Sequence, residues 1–581
     1  MRPTVCHPML SQGTIEARAY QLEAVDEALS GSMMLVLPTA AGKTAVAWMT
    51  IVESLKRNDG WALMIAPTVA LVHQHLGGIL GVVDFREGVE PISVTGRDPP
   101  SKREGMWGSS KLIVATPQVV RNDVERGVLD LAECCLLVLD EVHHCTGSHA
   151  MAMVSDMYLS MREEPLVLGA TASPGFRSED VREICSRMGA GRIHIRSSEE
   201  PMLSEYLSDL EVDEVTVRVP QEIRNLAEPL RLWQTGIVDQ QRRLGRYVMT
   251  GAISFSGLSN AMDRSQVAIS RGESSAYKSM SQIATAMRLH HLINCLLSQG
   301  ISASREFLDR MEMGEDGSKK SVLAFLRDPR IRELRKSISE MGESHSKMGA
   351  VRRLVRERIR RGGDSRVIVF ASYRDTISSL NDALDGLEGV SSVQFVGQSS
   401  RGGREGLSPK KQVERLDSFR SGESNVLLAT SIGEEGLDIP AADLVIFYEP
   451  VSSEIRTIQR RGRTGRRRLG EVVVLIAEDT RDEGSMAAAK RKEKGMQRAV
   501  HRVRRGLPRG HHSDLSNLDS FMILGEGQMP ASDFVTSERE RNRPEIIVED
   551  RTDLPIGEAD SSGPLDPSTF RPRGQSGLED F

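Results

Sequence analysis

The chain lacks any paired C-x-x-C spacing: of six cysteines, Cys134 and Cys135 adjoin inside an apolar run, and Cys6, Cys145, Cys185 and Cys295 stand apart. Disulfides, structural zinc and an iron–sulfur cluster are therefore not expected. No apolar run approaches the roughly 18 residues that a membrane-spanning helix requires, so no membrane partner is expected. The opening Met1-Arg2-Pro3 is not followed by the charged, apolar and small-residue series of a secretory signal, which predicts a cytoplasmic location. No tandem repeat occurs at solenoid periods. A surplus of positive charge is missing too, since the net charge is −6. That deficit is local: residues 525–581 hold 13 acidic and 6 basic residues, which leaves the preceding chain near +1. A polyanionic partner would have to meet local basic patches.

What is present is a multidomain pattern, as 581 residues exceed a single core. Residues 1–205 alternate short apolar runs (Met33 to Leu37, Leu63 to Ala66, Leu112 to Ala115, Leu136 to Leu139) with helical stretches, the reading of a parallel α/β sheet. Over 222–350 the strand-like runs vanish and helical periods replace them, as in Ile283 to Leu297, so a helical domain is inserted there. Strand-like runs resume at Val367 to Phe370, Asn425 to Ala429, Leu444 to Tyr448 and Val472 to Ile476, giving a second α/β domain at 351–485. A basic helical extension is expected at 486–524. Residues 525–581, rich in Pro, Gly, Ser, Asp and Glu, read as a disordered acidic tail.

Three motifs carry chemistry. After the strand-like Leu35 to Leu37 comes Pro38-Thr39-Ala40-Ala41-Gly42-Lys43-Thr44, then a helical run. Backbone N–H groups at that helix start can cradle phosphate oxygens, Lys43 can neutralise them, and the Thr44 hydroxyl can ligate Mg²⁺. Asp140-Glu141-Val142-His143 follows the apolar run Leu136 to Leu139 directly. Asp140 would hold Mg²⁺, and Glu141 would orient a water and accept its proton. In Gln459-Arg460-Arg461-Gly462-Arg463-Thr464-Gly465-Arg466, glycines let several guanidinium groups converge. Arg463 and Arg466 can stabilise a transferring phosphoryl group, with Gln459 placing water. Residues from two domains would then share one ATP, the requirement for a motor.

With Arg18-Ala19-Tyr20-Gln21, Ala66-Pro67-Thr68, Thr95-Gly96, Ala115-Thr116-Pro117-Gln118, Thr171-Ala172-Ser173-Pro174-Gly175 and Ala429-Thr430-Ser431, these motifs extend from about residue 15 to about 500. The chain resembles the superfamily 2 helicases, and within them the archaeal Hef and Fanconi anaemia M-type helicases. The resemblance implies two RecA-like parallel-sheet domains around a helical insert, with ATP and Mg²⁺ as cofactors. It places Gln21 near the adenine, has Thr171 and Ser173 couple the ATP site to DNA, and lines the strand path with Pro67, Thr68, Thr95, Gly96, Thr116, Thr430 and Ser431. Ala40 replaces the family's usual glycine, and Val142 replaces the Ala of DEAH; both leave the reacting groups in place.

The expectation is an ATP-dependent helicase or translocase acting on forked or branched DNA in replication-fork repair, moving 3′ to 5′ as a monomer. The alternative is a duplex-RNA-stimulated ATPase, because RIG-I-like and Dicer helicases share the helical insert. A scaffold with a decayed ATP site is disfavoured by Lys43, Asp140, Glu141, Arg463 and Arg466 all being present. Hef joins its motor to an XPF-type nuclease. Here Pro544 to Arg551 faintly resembles that nuclease's first strand, with no E-R-K segment after it, which leaves a separate nuclease subunit as a candidate partner. Finally, Gln575, Leu578 and Phe581 match the Q-x-x-L-x-x-F form of sliding-clamp peptides.

Overall fold

The computed structural model describes residues 2–38, 41–84, 90–197, 200–204, 206, 212–313, 319–362, 364–396, 407, 409–430, 442–450, 470–507, 514–525 and 527–542. Its strands, in chain order, are β1 (Thr4–Cys6), β2 (Met33–Val36), β3 (Trp61–Ile65), β4 (Ile92–Val94), β5 (Leu112–Ala115), β6 (Cys134–Asp140), β7 (Val167–Thr171), β8 (Arg192–Ile195), β9 (Val212–Val217), β10 (Val367–Ala371), β11 (Ser392–Phe395), β12 (Val426–Thr430), β13 (Leu444–Phe447), β14 (Glu471–Ala477), β15 (Met522–Leu524) and β16 (Gln528–Pro530).

Two parallel sheets organise the molecule. The first has the order β4-β5-β3-β6-β7-β2-β8 and the second β11-β12-β10-β13-β14-β9. Their central strands are buried on both faces, as helices on either side of a parallel sheet require, so β2 reads MMLV and β10 reads VIVFA without alternation. Helices from Gln221–Arg243 to Pro329–Glu340 stand between the sheets in sequence and close around their own core of Ile283, Leu289, Leu292 and Leu296. The helix Ser346–Arg361 packs on the second sheet through Val351 and Val355.

One strand escaped the sequence pattern. β9 reads VDEVTV and pairs in parallel with β14 as an edge of the second sheet, although it precedes the helical insert. Its acidic Asp213 and Glu214 are exposed, the usual way an edge strand is kept from further pairing.

The expected tail from residue 525 is corrected in its first part. β1, β15 and β16 form a small antiparallel sheet, and the helix Ala531–Arg541 packs beside it on the helix Ala19–Leu29. Phe521, Ile523, Ala531 and Val535 enter the core of the first domain. Here a few apolar side chains suffice because they fill a surface already built by the N-terminal residues. The basic extension begins and ends earlier than the expected 486–524: one helix runs Arg481–Gly506, and its Ala499, Val500 and Val503 pack against the first domain. Among the described residues no helix is long and apolar enough to cross a membrane.

Candidate functional site

The order of the first sheet sorts the motifs. The phosphate loop follows β2, the DEVH residues close β6, and Thr171 ends β7; these three strands are neighbours. Pro67-Thr68 follows β3, Thr95-Gly96 follows β4, and Thr116 follows β5, which are neighbours on the other half. All lie at the carboxyl ends of parallel strands, where open α/β sheets place ligands.

The phosphate loop leaves β2 through Leu37 and Pro38, and the Ala41 N–H bonds back to the Pro38 carbonyl at 3.1 Å. Gly42 then starts the helix Lys43–Arg57 with φ +79°, a left-handed conformation that favours glycine. The buried Gln21 lies against this turn: its amide donates to the Ala41 carbonyl at 2.9 Å, and the Tyr20 hydroxyl donates to the same oxygen at 2.9 Å. A Cβ on Gly42 would collide with that amide, so Gln21 and Gly42 are matched in shape. Lys43 Nζ lies 3.4 Å from the Leu37 carbonyl. Among the described residues no side chain caps this helix, which leaves its first-turn N–H groups able to meet a phosphate group.

Asp140, the last residue of β6, accepts a hydrogen bond from His75 Nε2 at 2.7 Å. Burial alone would favour its neutral form, but the His75 hydrogen bond and charge, the Lys43 ammonium and the Glu141 backbone N–H outweigh it and hold the carboxyl below its ordinary range. The ionised Asp140 carboxylate and the Thr44 hydroxyl are oxygen donors of the kind that Mg²⁺ takes, and the Lys43 ammonium acting on Asp140 fits a nucleotide phosphate.

Glu141 adopts φ +51°, unusual for a non-glycine residue, and turns its side chain toward β7. Its Oε2 lies 3.2 Å from His143 Nδ1 and 3.5 Å from the Thr171 hydroxyl, and that hydroxyl lies 3.2 Å from His143 Nδ1 and accepts from the Ser173 N–H at 3.1 Å. The acidic motif and the Thr171-Ala172-Ser173 segment therefore share one polar network. Val142 is fully buried, and a Cβ on Gly169 would lie 2.8 Å from its methyl, so the glycine leaves the space that the larger Val142 occupies.

On the other half, Thr68 caps the helix Val69–Leu80 by accepting from the Leu71 N–H at 3.3 Å. The buried Thr95 bonds Asp98 through its N–H at 3.2 Å, and Gly96 beside it is exposed. Thr116 precedes Pro117 at the start of the helix Pro117–Glu125, and Pro67 is half-buried. Thr430 ends β12 in the second sheet. Thr39, Ala40, Ser431, Gln459, Arg463 and Arg466 lie outside the described residues, as do Gln575, Leu578 and Phe581.

Sequence reasoning missed His75. A histidine within a helical run has no mark that it will meet a carboxylate 65 positions away. His290 and His291, adjacent on the insert, pack beside the Phe255 and Phe307 rings respectively.

A family model described as DEAD/DEAH box helicase matches residues 18–181, and one described as Helicase conserved C-terminal domain matches 346–468. A Methanocaldococcus jannaschii protein whose name describes an ATP-dependent RNA helicase is 34% identical over 85% of this chain and 62% of its own length. The ATP-dependent DNA helicase mph1 of Neurospora crassa is 29% identical over 83% of this chain and 43% of its own. The chain thus spans less than two thirds of these curated relatives. The crystal structure of the Pyrococcus furiosus Hef helicase domain superposes with a TM-score of 0.67 at 33% identity, covering 83% of this chain and 99% of that one. The chain belongs to the DEAD/DEAH-box superfamily 2 helicases, ATP-hydrolysing enzymes, in the group that contains the Hef helicase domain.

Proposed function

We propose that the protein is an ATP-dependent DNA translocase acting on forked or branched DNA, moving 3′ to 5′. The observation that supports it is the division of one sheet between phosphate-binding and strand-path residues, with β3 and β6 adjacent at the boundary. Lys43 and the first turn of its helix hold the β and γ phosphates, and Thr44 and Asp140 hold Mg²⁺, which supplies neutralising charge when bound. Glu141 orients the attacking water and accepts its proton. Arg463 and Arg466, supplied by the second domain, stabilise the transferring phosphoryl group, and Gln459 helps to place the water. Hydrolysis then closes and opens the cleft between the sheets. Thr68, Thr95, Gly96 and Thr116, with Thr430 and Ser431, contact phosphates through hydroxyls and backbone amides and so grip without reading sequence, while Pro67, which has no N–H to donate, lines the path beside Thr68.

The reading is tested by ATP turnover with forked DNA, plain duplex DNA and duplex RNA. Stimulation in the order forked over plain DNA, with little from RNA, is the expected result. Stronger stimulation by duplex RNA overturns it in favour of an RNA-directed motor, the substrate that the name of the Methanocaldococcus relative states.

The segment with Gln575, Leu578 and Phe581 is proposed to bind a sliding clamp, since one helical turn formed on binding would bring Leu578 and Phe581 to one side. Deleting 575–581 should remove clamp binding in a calorimetric titration while DNA-stimulated turnover is unchanged. Equal clamp binding by both forms defeats the proposal.

A further inference from the structure

His75 lies on the helix Val69–Leu80, two turns after Thr68, which caps that helix. Thr68 belongs to the strand-path half of the sheet, and His75 Nε2 reaches Asp140 Oδ2 on the ATP half at 2.7 Å. Seven residues of helix span roughly 10 Å, enough to cross from one half to the other. The His75 side chain is 8% exposed and that of Asp140 16%, so water competes little for the bond. A carboxylate only accepts hydrogen bonds, so His75 donates through Nε2 and fixes the plane of the Asp140 carboxylate. Lys43 and the Glu141 backbone N–H, both from the ATP half, also act on this carboxylate. His75 alone of these sits on an element that begins at a strand-path residue.

We propose that His75 is a positioning residue for the Mg²⁺-binding carboxylate of Asp140, and that its helix carries strand engagement at Pro67-Thr68 to the metal site. The inference rests on the reading of Asp140 as a metal ligand given above. A rigid helix that shifts or turns when a phosphate binds at its start moves His75 with it, and the carboxylate follows its donor. Loss of a hydrogen-bond partner behind a metal ligand typically costs about 10–100-fold in metal affinity.

The test uses the full chain and reads Mg²⁺ titrations of a fluorescent, non-hydrolysable ATP analogue, with and without forked DNA. For the unsubstituted protein, forked DNA should lower the Mg²⁺ concentration at half-saturation. His75→Ala should raise that concentration by about tenfold or more and abolish the DNA-linked shift, with nucleotide-free DNA binding unchanged. His75→Gln, whose amide can donate from a similar position, should recover most of the affinity and keeps the test meaningful if the alanine variant folds poorly. An unchanged Mg²⁺ midpoint in both variants overturns the positioning role. A DNA-linked shift that survives in His75→Ala overturns the coupling role. Asp140→Asn separates the two readings: if it also leaves the Mg²⁺ midpoint unchanged, the assignment of Asp140 fails, whereas a large effect of Asp140→Asn with none from His75→Ala defeats only the present inference.

Discussion

Lys347 is wholly buried, and its ammonium donates to the Asp482 carboxylate and, at 3.1 Å, to the Ser298 carbonyl, with the Tyr448 ring 5.1 Å away. Asp482 also accepts from the Ala477 N–H at 3.1 Å. The pair ties three pieces together: the start of the helix Ser346–Arg361, the π-helical turn Cys295–Gln299 that ends a long helix of the insert, and the start of the helix Arg481–Gly506. The last of these continues into the first domain, so a charge pair at one end orients a strut that touches both sheets.

Lys347→Ala would leave a buried carboxylate without its cation. Such losses cost about 3–5 kcal/mol, read as a lower unfolding midpoint of the second domain and insert. Combining Lys347→Met with Asp482→Asn should cost less than the sum of the two single changes, because no charge is then stranded. An additive double variant would show that the pair does not act as a unit.

At the ATP site, Lys43→Ala should abolish hydrolysis, since the phosphates lose their loop ammonium. Arg466→Ala should leave nucleotide binding nearly intact while turnover falls by about 10³-fold, because finger contacts strengthen in the transition state. Steady-state turnover and analogue binding measured together separate the two. Normal DNA-stimulated turnover in either variant contradicts the assigned roles.

Much of this architecture was legible because strands buried on both faces spell continuous apolar runs. Cys134–Asp140 is seven residues of nearly unbroken apolar sequence ending in the carboxylate, so both the strand and the position of Asp140 could be read directly. β9 could not, because an edge strand with acidic exposed residues carries no such run. His75 was illegible for another reason: its partner is set by the juxtaposition of β3 and β6, which no local period encodes. The folded segment Ser516 to Arg541 was illegible because three-residue strands have too few positions to show alternation.

A buried pair in the first domain gives a pH dependence. Asp123 takes two bonds from the Arg103 guanidinium, at 2.8 and 2.7 Å, and one from the Trp107 indole at 3.0 Å. Burial works against its charge, but these bonds outweigh it and lower the carboxyl from its ordinary 3.8. A carboxyl depressed in the folded state stabilises the protein above its unfolded value and loses that contribution as pH falls through the folded value. The unfolding midpoint should therefore fall as pH drops below about 4, and Asp123→Asn should be less stable at neutral pH yet less sensitive in that acid window. An identical acid profile for Asp123→Asn would remove Asp123 as a source of the dependence.

The docking of the C-terminal segment on the first domain turns on Phe521. Its side chain is fully buried, with the ring 4.7 Å from that of His7, whose Nε2 bonds Glu53 at 2.9 Å inside the same core. Polar contacts surround it: Ser520 donates to Glu53 at 3.1 Å, and Arg57 donates to the Asn517 side chain at 2.8 Å and carbonyl at 2.9 Å. The Arg57–Asn517 bonds are exposed and compete with water, so burial of the aromatic ring outweighs them in the attachment. Phe521→Ala should cost about 3–5 kcal/mol, and because the lost contacts lie between segments about 500 positions apart, it should act by releasing 514–542 rather than by opening the parallel sheet. Limited proteolysis tests this: the variant should be cut within 507–542 far sooner than the unsubstituted protein, while fragments from the first sheet appear at unchanged rates. Equal cleavage of the segment in both proteins would mean that Phe521 does not hold it.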